Sequence, residues 1–242
     1  MMSYINLYNI YTYCELSYKE PEEIILGEYN IDDYIFLDNK ETDCQCYFFI
    51  DNLLNHIYIV FRGTSSFKDI LTDLYVIQSY HNYKTKVHKG FLEQYLSLKK
   101  SIEEILYNFR DDYKIICCGH SLGGALAILL AFDYKYDCIT IGAPRVGDKN
   151  FKKEFNKRVK NILCLINNFD IVPTIPKINY KHVVKGYSIF TNKYKEKTSF
   201  FNKFKCIKNI FNIECHQIQY YKENTDFNKI NDFLNKEKLF TI

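Results

Sequence analysis

Among the side chains of this sequence that could do covalent chemistry, the most specifically placed is Ser121, in Gly119-His120-Ser121-Leu122-Gly123-Gly124. The residues before it, Tyr113-Lys114-Ile115-Ile116-Cys117-Cys118, have the apolar, β-branched content of a buried strand. Those after it, Ala125 to Ala131, read as a buried helix. A serine hydroxyl is a poor nucleophile and has to project clear of the sheet toward a base. A sharp strand-to-helix turn does this, at the expense of a strained serine backbone. Glycines two positions to either side avoid clashes where chain segments approach closely. The following helix aims free N–H groups and the positive end of its dipole at charge developing on an oxygen. Random placement of the chain's serines and glycines would give about 0.01 such motifs, so composition does not account for it. The chemistry expected is nucleophilic attack with a covalent intermediate.

Such a serine needs a base and an acid that orients the base, in the order Ser, Asp, His when the nucleophile sits on a strand-to-helix elbow. Asp170 follows the apolar run Ile162–Ile166, in Asn167-Asn168-Phe169-Asp170-Ile171-Val172-Pro173. The end of a parallel strand is where such sheets place functional groups. Two histidines lie downstream, His182 and His216. His182 follows Asp170 too soon to leave room for another structural unit, so His216 is the expected base. His182 is read as a core or surface residue.

The elements that must carry these groups alternate in type. A helix is expected over residues 3–17, then an acidic loop around Pro21. Strands are expected at 46–50 and 56–61, and an amphipathic helix from Phe91 to Phe109, with Phe91, Tyr95, Leu98, Ile102, Ile105, Leu106 and Phe109 on its apolar stripe. After the Ser121 elbow come a strand at Cys138–Ile141, a helix at Phe151–Val159 and a strand at Ile162–Ile166. More strands are expected before His216. Strands alternating with helices imply a mostly parallel central sheet with helices on both faces, an α/β class of fold. No repeat or low-complexity linker divides the chain, so residues 1–242 are expected to form one domain.

With these motifs in place, the sequence resembles the class 3 lipases, the group of the fungal triacylglycerol lipases, from about residue 46 to 220. The resemblance rests on Ile59-Val60-Phe61-Arg62-Gly63-Thr64-Ser65, Val87-His88-Lys89-Gly90-Phe91, Gly119 to Ala127, Gly142-Ala143-Pro144-Arg145-Val146-Gly147-Asp148, and Asn167 to Pro176. It implies the α/β-hydrolase fold and an oxyanion hole built from the N–H groups of Thr64 and Leu122. It also matches Asp170 and His216 to the family's acid and base, and His182 to a non-catalytic histidine. His88 and His120 fall at structural motif positions, and Tyr220 sits near a frequent family aromatic. Phe67, Ile70, Leu71 and Leu74 stand at i, i+3, i+4 and i+7 directly after Thr64. They read as a short amphipathic helix, which in the family is a lid and otherwise is an ordinary surface helix. The departures are the Lys- and Asn-rich stretch Phe190–Glu214 and the lack of an evident leader or disulfide pattern.

These readings converge on a serine carboxylic-ester hydrolase, foremost a lipase cleaving acylglycerols at a lipid–water interface. A phospholipase or short-chain carboxylesterase is the alternative. A catalytically silent lipid-surface binding protein is a third reading, against which Ser121, Asp170 and His216 all argue. No metal or organic cofactor is called for. A net charge of +3 is too small to argue for nucleic acid. Residues 15–43 are acidic, and Lys149–Lys160 holds six basic residues; both read as solvated surfaces, and the alternative for the basic segment is a face that meets an anionic membrane surface. Nine cysteines without a CxxC pair read as reduced core thiols rather than a zinc site or a disulfide framework. The N-terminus lacks a secretory pattern, and no run of about 20 apolar residues is present. Cytoplasmic residence without a transmembrane segment is the default expectation, with secretion as the alternative. Nothing in the sequence sets the oligomeric state.

Overall fold

The computed structural model describes residues 5–29, 31–64, 77–109, 113–191, 193–195 and 213–240. Its strands run β1 (Asp33–Asn39), β2 (Cys44–Asp51), β3 (His56–Phe61), β4 (Gln78–Tyr80), β5 (Lys86–His88), β6 (Lys114–His120), β7 (Asp137–Ile141), β8 (Ile162–Ile166), β9 (Gly186–Ser188) and β10 (Lys193–Lys195). Eight of them form one sheet in the order β1-β2-β3-β6-β7-β8-β9-β10; β4 and β5 pair separately. From β3 to β9 all neighbours are parallel, and β1, β2 and β10 add antiparallel edges.

Side chains alternate across this sheet because a strand has a period of two. Ile57, Ile59 and Phe61 of β3 enter one apolar cluster, Tyr58 and Val60 the other. β8 divides the same way, Cys164 to the first and Leu163 and Leu165 to the second. The first cluster is closed by α2 (Lys89–Tyr107), α3 (Leu122–Tyr134) and α4 (Lys149–Arg158). The second is closed by α1 (Leu7–Leu16), α5 (Ile218–Glu223) and α6 (Phe227–Glu237). Helices thus cover both faces of a mostly parallel sheet, as the alternation of elements predicts. Among the described residues, no helix is long and apolar enough to cross a membrane. The eight described cysteines are buried and unbridged.

Two regions differ from the sequence reading. The acidic stretch contains β1, paired along its length with β2. Its Tyr34 and Phe36 pack on one face and Ile35 and Leu37 on the other. Asp33 and Asp38 sit at its rim, which an edge strand tolerates because one side is open to water. The chain also returns to helix after residue 216, where α5 and α6 pack against α1.

α3 is buried along most of its length and carries one buried charge, at its far end. Asp133 accepts hydrogen bonds from His81 Nε2 (3.0 Å), Asn82 Nδ2 (3.0 Å), Tyr95 hydroxyl (2.8 Å) and Lys99 Nζ (2.8 Å). Arg158 donates to the carbonyls of Phe132 (2.8 Å) and Asp133 (3.0 Å), which the helix end leaves without partners. Burial opposes the Asp133 charge, but the bonds from His81, Lys99 and Tyr95 outweigh it and hold the carboxyl well below the usual range. Breaking one side of such a buried pair costs about 3–5 kcal/mol. Asp133→Asn should lower the thermal midpoint by about 10 °C at pH 7, at about 2–4 °C per kcal/mol for a chain of this size. A depressed folded-state pKa stabilises above the unfolded value, about 3.9, and that contribution fades as pH falls through the folded value. The gap between wild type and variant in calorimetric scans should therefore narrow below about pH 4; a gap independent of pH would refute the role of the charge.

Candidate active site

β6 ends at His120 and α3 begins at Leu122, so a single residue makes the turn between them. Ser121 has φ 56° and ψ −126°, a conformation whose strain is about 1–3 kcal/mol. Its surroundings hold it there. The Ser121 N–H donates to the Ile141 carbonyl at 2.9 Å, and its own carbonyl accepts from Gly124 N–H at 3.0 Å. A Cβ on Gly119 would lie 2.3 Å from the Gly123 carbonyl carbon, and one on Gly123 would lie 2.0 Å from the Phe61 carbonyl oxygen. The elbow therefore presses β6, β3 and the start of α3 together more tightly than any side chain at those positions allows.

His216 closes on the serine from a 3-10 turn, Ile213–His216, that precedes α5. Its Nε2 lies 2.7 Å from Ser121 Oγ and its Nδ1 lies 2.7 Å from Asp170 Oδ2. All three residues are buried. With Nδ1–H donating to the carboxylate, Nε2 is left as acceptor for the serine hydroxyl. Asp170 stands after β8 on a turn in which Asn167 Oδ1 accepts from Phe169 N–H at 3.0 Å. Its Oδ1 accepts from Val172 N–H at 2.8 Å and its Oδ2 from the Tyr221 hydroxyl at 2.7 Å. Tyr221 in turn accepts from Asn167 N–H at 2.9 Å, and Asn167 Nδ2 donates to the Cys215 carbonyl at 2.8 Å. Burial, and next the Asp170 charge, push the Tyr221 phenol far up, so it stays protonated and donates.

Thr64 follows β3 and is half-buried. Phe61 faces Gly119 in the β3–β6 register, which brings the end of β3 beside the elbow. Leu122 is the first residue of α3, where helix N–H groups lack carbonyl partners within the helix. Leu122 thus adjoins Ser121, and Thr64 lies three residues beyond the end of the strand that pairs with Gly119.

His182 is elsewhere. Its Nε2 hydrogen-bonds the Pro173 carbonyl, behind the Asp170 loop, and burial brings its pKa down to about 4. His88 caps α2, its side chain accepting from Phe91 N–H at 3.4 Å. Phe67, Ile70, Leu71 and Leu74 lie outside the described residues. Among the described residues, no cluster of three or more His, Cys, Asp or Glu is arranged to hold a metal ion.

Tyr221 is the site residue that the sequence reading missed. It looked to Tyr220, which is half-buried and sits near Phe190, with ring centroids 6.4 Å apart. The available signal was helical spacing: Ile218 and Tyr221, at i and i+3, are the buried residues of α5.

The lipase of Rhizomucor miehei is 37% identical over 153 residues, covering 56% of this chain and 42% of that protein. Its structure in a propeptide complex aligns with a TM-score of 0.67 at 28% identity, over 78% of this chain and 70% of the other. A chloroplastic phospholipase A(1) of Arabidopsis thaliana is 27% identical over 151 residues, covering 50% of this chain and 34% of the relative. The matches thus span less than half the length of these curated relatives. The profile described as Lipase (class 3) matches residues 58–180, from β3 past Asp170. That span holds the strained elbow, the strand beside it and the loop of the buried carboxylate, and on it this chain belongs to the class 3 lipase family.

Proposed function

We propose that this protein is a serine ester hydrolase, a lipase that cleaves acylglycerols with Ser121 as nucleophile, His216 as base and Asp170 as the acid that orients it. The observation that carries the reading is the pair of 2.7 Å contacts on the two nitrogens of one imidazole, to Ser121 Oγ and to Asp170 Oδ2. His216 takes the serine proton as Oγ attacks the ester carbonyl carbon. The tetrahedral oxyanion is met by the N–H groups of Thr64 and Leu122. His216 then gives its proton to the departing alcohol, leaving an acyl-serine. Water, deprotonated by His216, repeats the attack and releases the carboxylic acid. Asp170 keeps Nδ1–H fixed and stabilises the imidazolium formed in each half. The likeness to the Rhizomucor miehei lipase supports an acylglycerol lying in a lipid–water interface as the substrate. The plant phospholipase keeps a glycerophospholipid as the second reading, and a short-chain ester as the third.

A fluorophosphonate probe should label Ser121 on folded wild type, with the label placed by peptide mass spectrometry, and should not label Ser121→Ala. Labelling at another serine, or none, would overturn the assignment. His216→Ala should lower kcat by about 10⁴-fold or more, while His182→Ala, if folded by circular dichroism, should stay within about tenfold of wild type. A fully active His216→Ala would remove the base. Rates on triolein emulsion, phosphatidylcholine vesicles and p-nitrophenyl acetate decide the substrate. Triolein is expected to be fastest, and a clear preference for phosphatidylcholine would make the protein a phospholipase.

A further inference from the structure

His120, directly before Ser121, is buried, and each of its ring nitrogens has a definite partner. Nε2 lies 2.7 Å from the main-chain carbonyl oxygen of His216, and Nδ1 lies 2.8 Å from the Tyr18 hydroxyl. A carbonyl can only accept, so Nε2 carries the proton and Nδ1 accepts from Tyr18. Burial, with the nearby His216 adding to it, keeps this imidazole neutral and fixes that tautomer. The rings of His120 and His216 lie 4.8 Å apart. The backbone of Gly63, the residue before Thr64, packs closely on the Tyr18 oxygen. A Cβ on Gly63 would come within 2.2 Å of that oxygen.

The simplest account of a buried histidine is a core residue with its polar atoms satisfied. Here, however, the acceptor is the main chain of the residue whose ring meets Ser121. His216 ends a short 3-10 turn and belongs to no strand or long helix. The main chain around it is held by Asn167 on the Cys215 carbonyl, by Gln217 N–H on the Glu214 carbonyl, and by His120 on its own carbonyl. Among these ties of the described residues, His120 is the one that belongs to the elbow, and it joins the base's main chain directly to the residue before the nucleophile.

We infer that Tyr18 and His120 are positioning residues: a brace in which Gly63 packs on Tyr18, Tyr18 hydrogen-bonds His120 and His120 hydrogen-bonds the His216 carbonyl, setting the base, the nucleophile elbow and the strand leading to Thr64 at a fixed spacing. This inference rests on the assignment of Ser121 and His216 above. Misplacing a reacting group by about 1 Å costs on the order of 100-fold. Loosening one hydrogen bond of the brace should cost about tenfold in the rate of serine attack.

Phosphonylation by a fluorophosphonate, followed as both stoichiometry and rate constant per reactive site, separates positioning from folding. Tyr18→Phe keeps the ring and removes the bond. It should label at about one probe per folded chain with a rate constant about tenfold below wild type. A purely structural role would instead lower the stoichiometry and leave the per-site rate unchanged, and that result overturns the inference. His120→Gln retains an N–H that can reach the His216 carbonyl but breaks the link to Tyr18, and should slow labelling comparably. The double variant should be within about twofold of the slower single variant, because one brace is broken only once. Losses that multiply would show two independent effects and would also overturn it. A wild type that fails to label at Ser121 removes the hydrolase reading and the brace together. A labelled wild type with an unslowed Tyr18→Phe removes the brace alone.

Discussion

A carboxylate withdrawn from water must be met by donors or the chain does not keep it charged. The Asp170 side chain has no solvent exposure, and its donors come from three separate pieces of chain: Val172 in the loop it belongs to, His216 in the 3-10 turn, and Tyr221 in α5. Tyr221 and Asn167 tie the same pieces together again, one through the Asn167 N–H and the other through the Cys215 carbonyl. Satisfying a single buried charge therefore docks the C-terminal segment on the carboxyl end of the sheet and turns the imidazole of the proposed base toward the elbow. The orientation of His216 is a by-product of keeping Asp170 solvated by protein.

The proposed nucleophile's side of the site rests on a helix treated differently at its two ends. At Leu122 the free N–H groups and the positive dipole end are left open beside Ser121. At the other end, the exposed carbonyls and their partial negative charge are covered by Arg158, while Asp133 locks into His81, Tyr95 and Lys99. The close glycine contacts at the elbow and the polar lock at the far end together fix the register of this almost wholly apolar helix.

How much of this was legible depended on the distance in sequence over which each feature is encoded. β3 and β8 were readable to their ends, since His56–Phe61 and Ile162–Ile166 are uninterrupted apolar runs with turn residues beyond them. The Ser121 elbow is local, and Asp170 follows a strand end, so both could be named as candidates. His216 followed from there being two histidines left to choose between. β1 was hidden because its acidic flanks dominate the local composition and its partner β2 supplies the burial. Tyr18, His120 and Tyr221 acquire their contacts only when segments 102 and 51 residues apart meet. Nothing in the local pattern of a lone tyrosine announces such a partner.

The two ends of the described chain are packed on each other. The Tyr11 hydroxyl lies 2.7 Å from Thr225 Oγ1, and Lys222 Nζ reaches Glu15 Oε2 at 2.6 Å and stands over the Tyr8 ring. On a ribosome this has a consequence in time. At about 5–20 residues per second, α1 emerges about 10–40 s before the helices that cover it, with Ile10, Tyr11 and Cys14 lacking their final partners. The nascent chain must carry that apolar surface until α5 and α6 have been made. Because the proposed base, His216, is made 95 residues after the proposed nucleophile, Ser121, a nascent chain that has reached only the elbow holds that serine without its base.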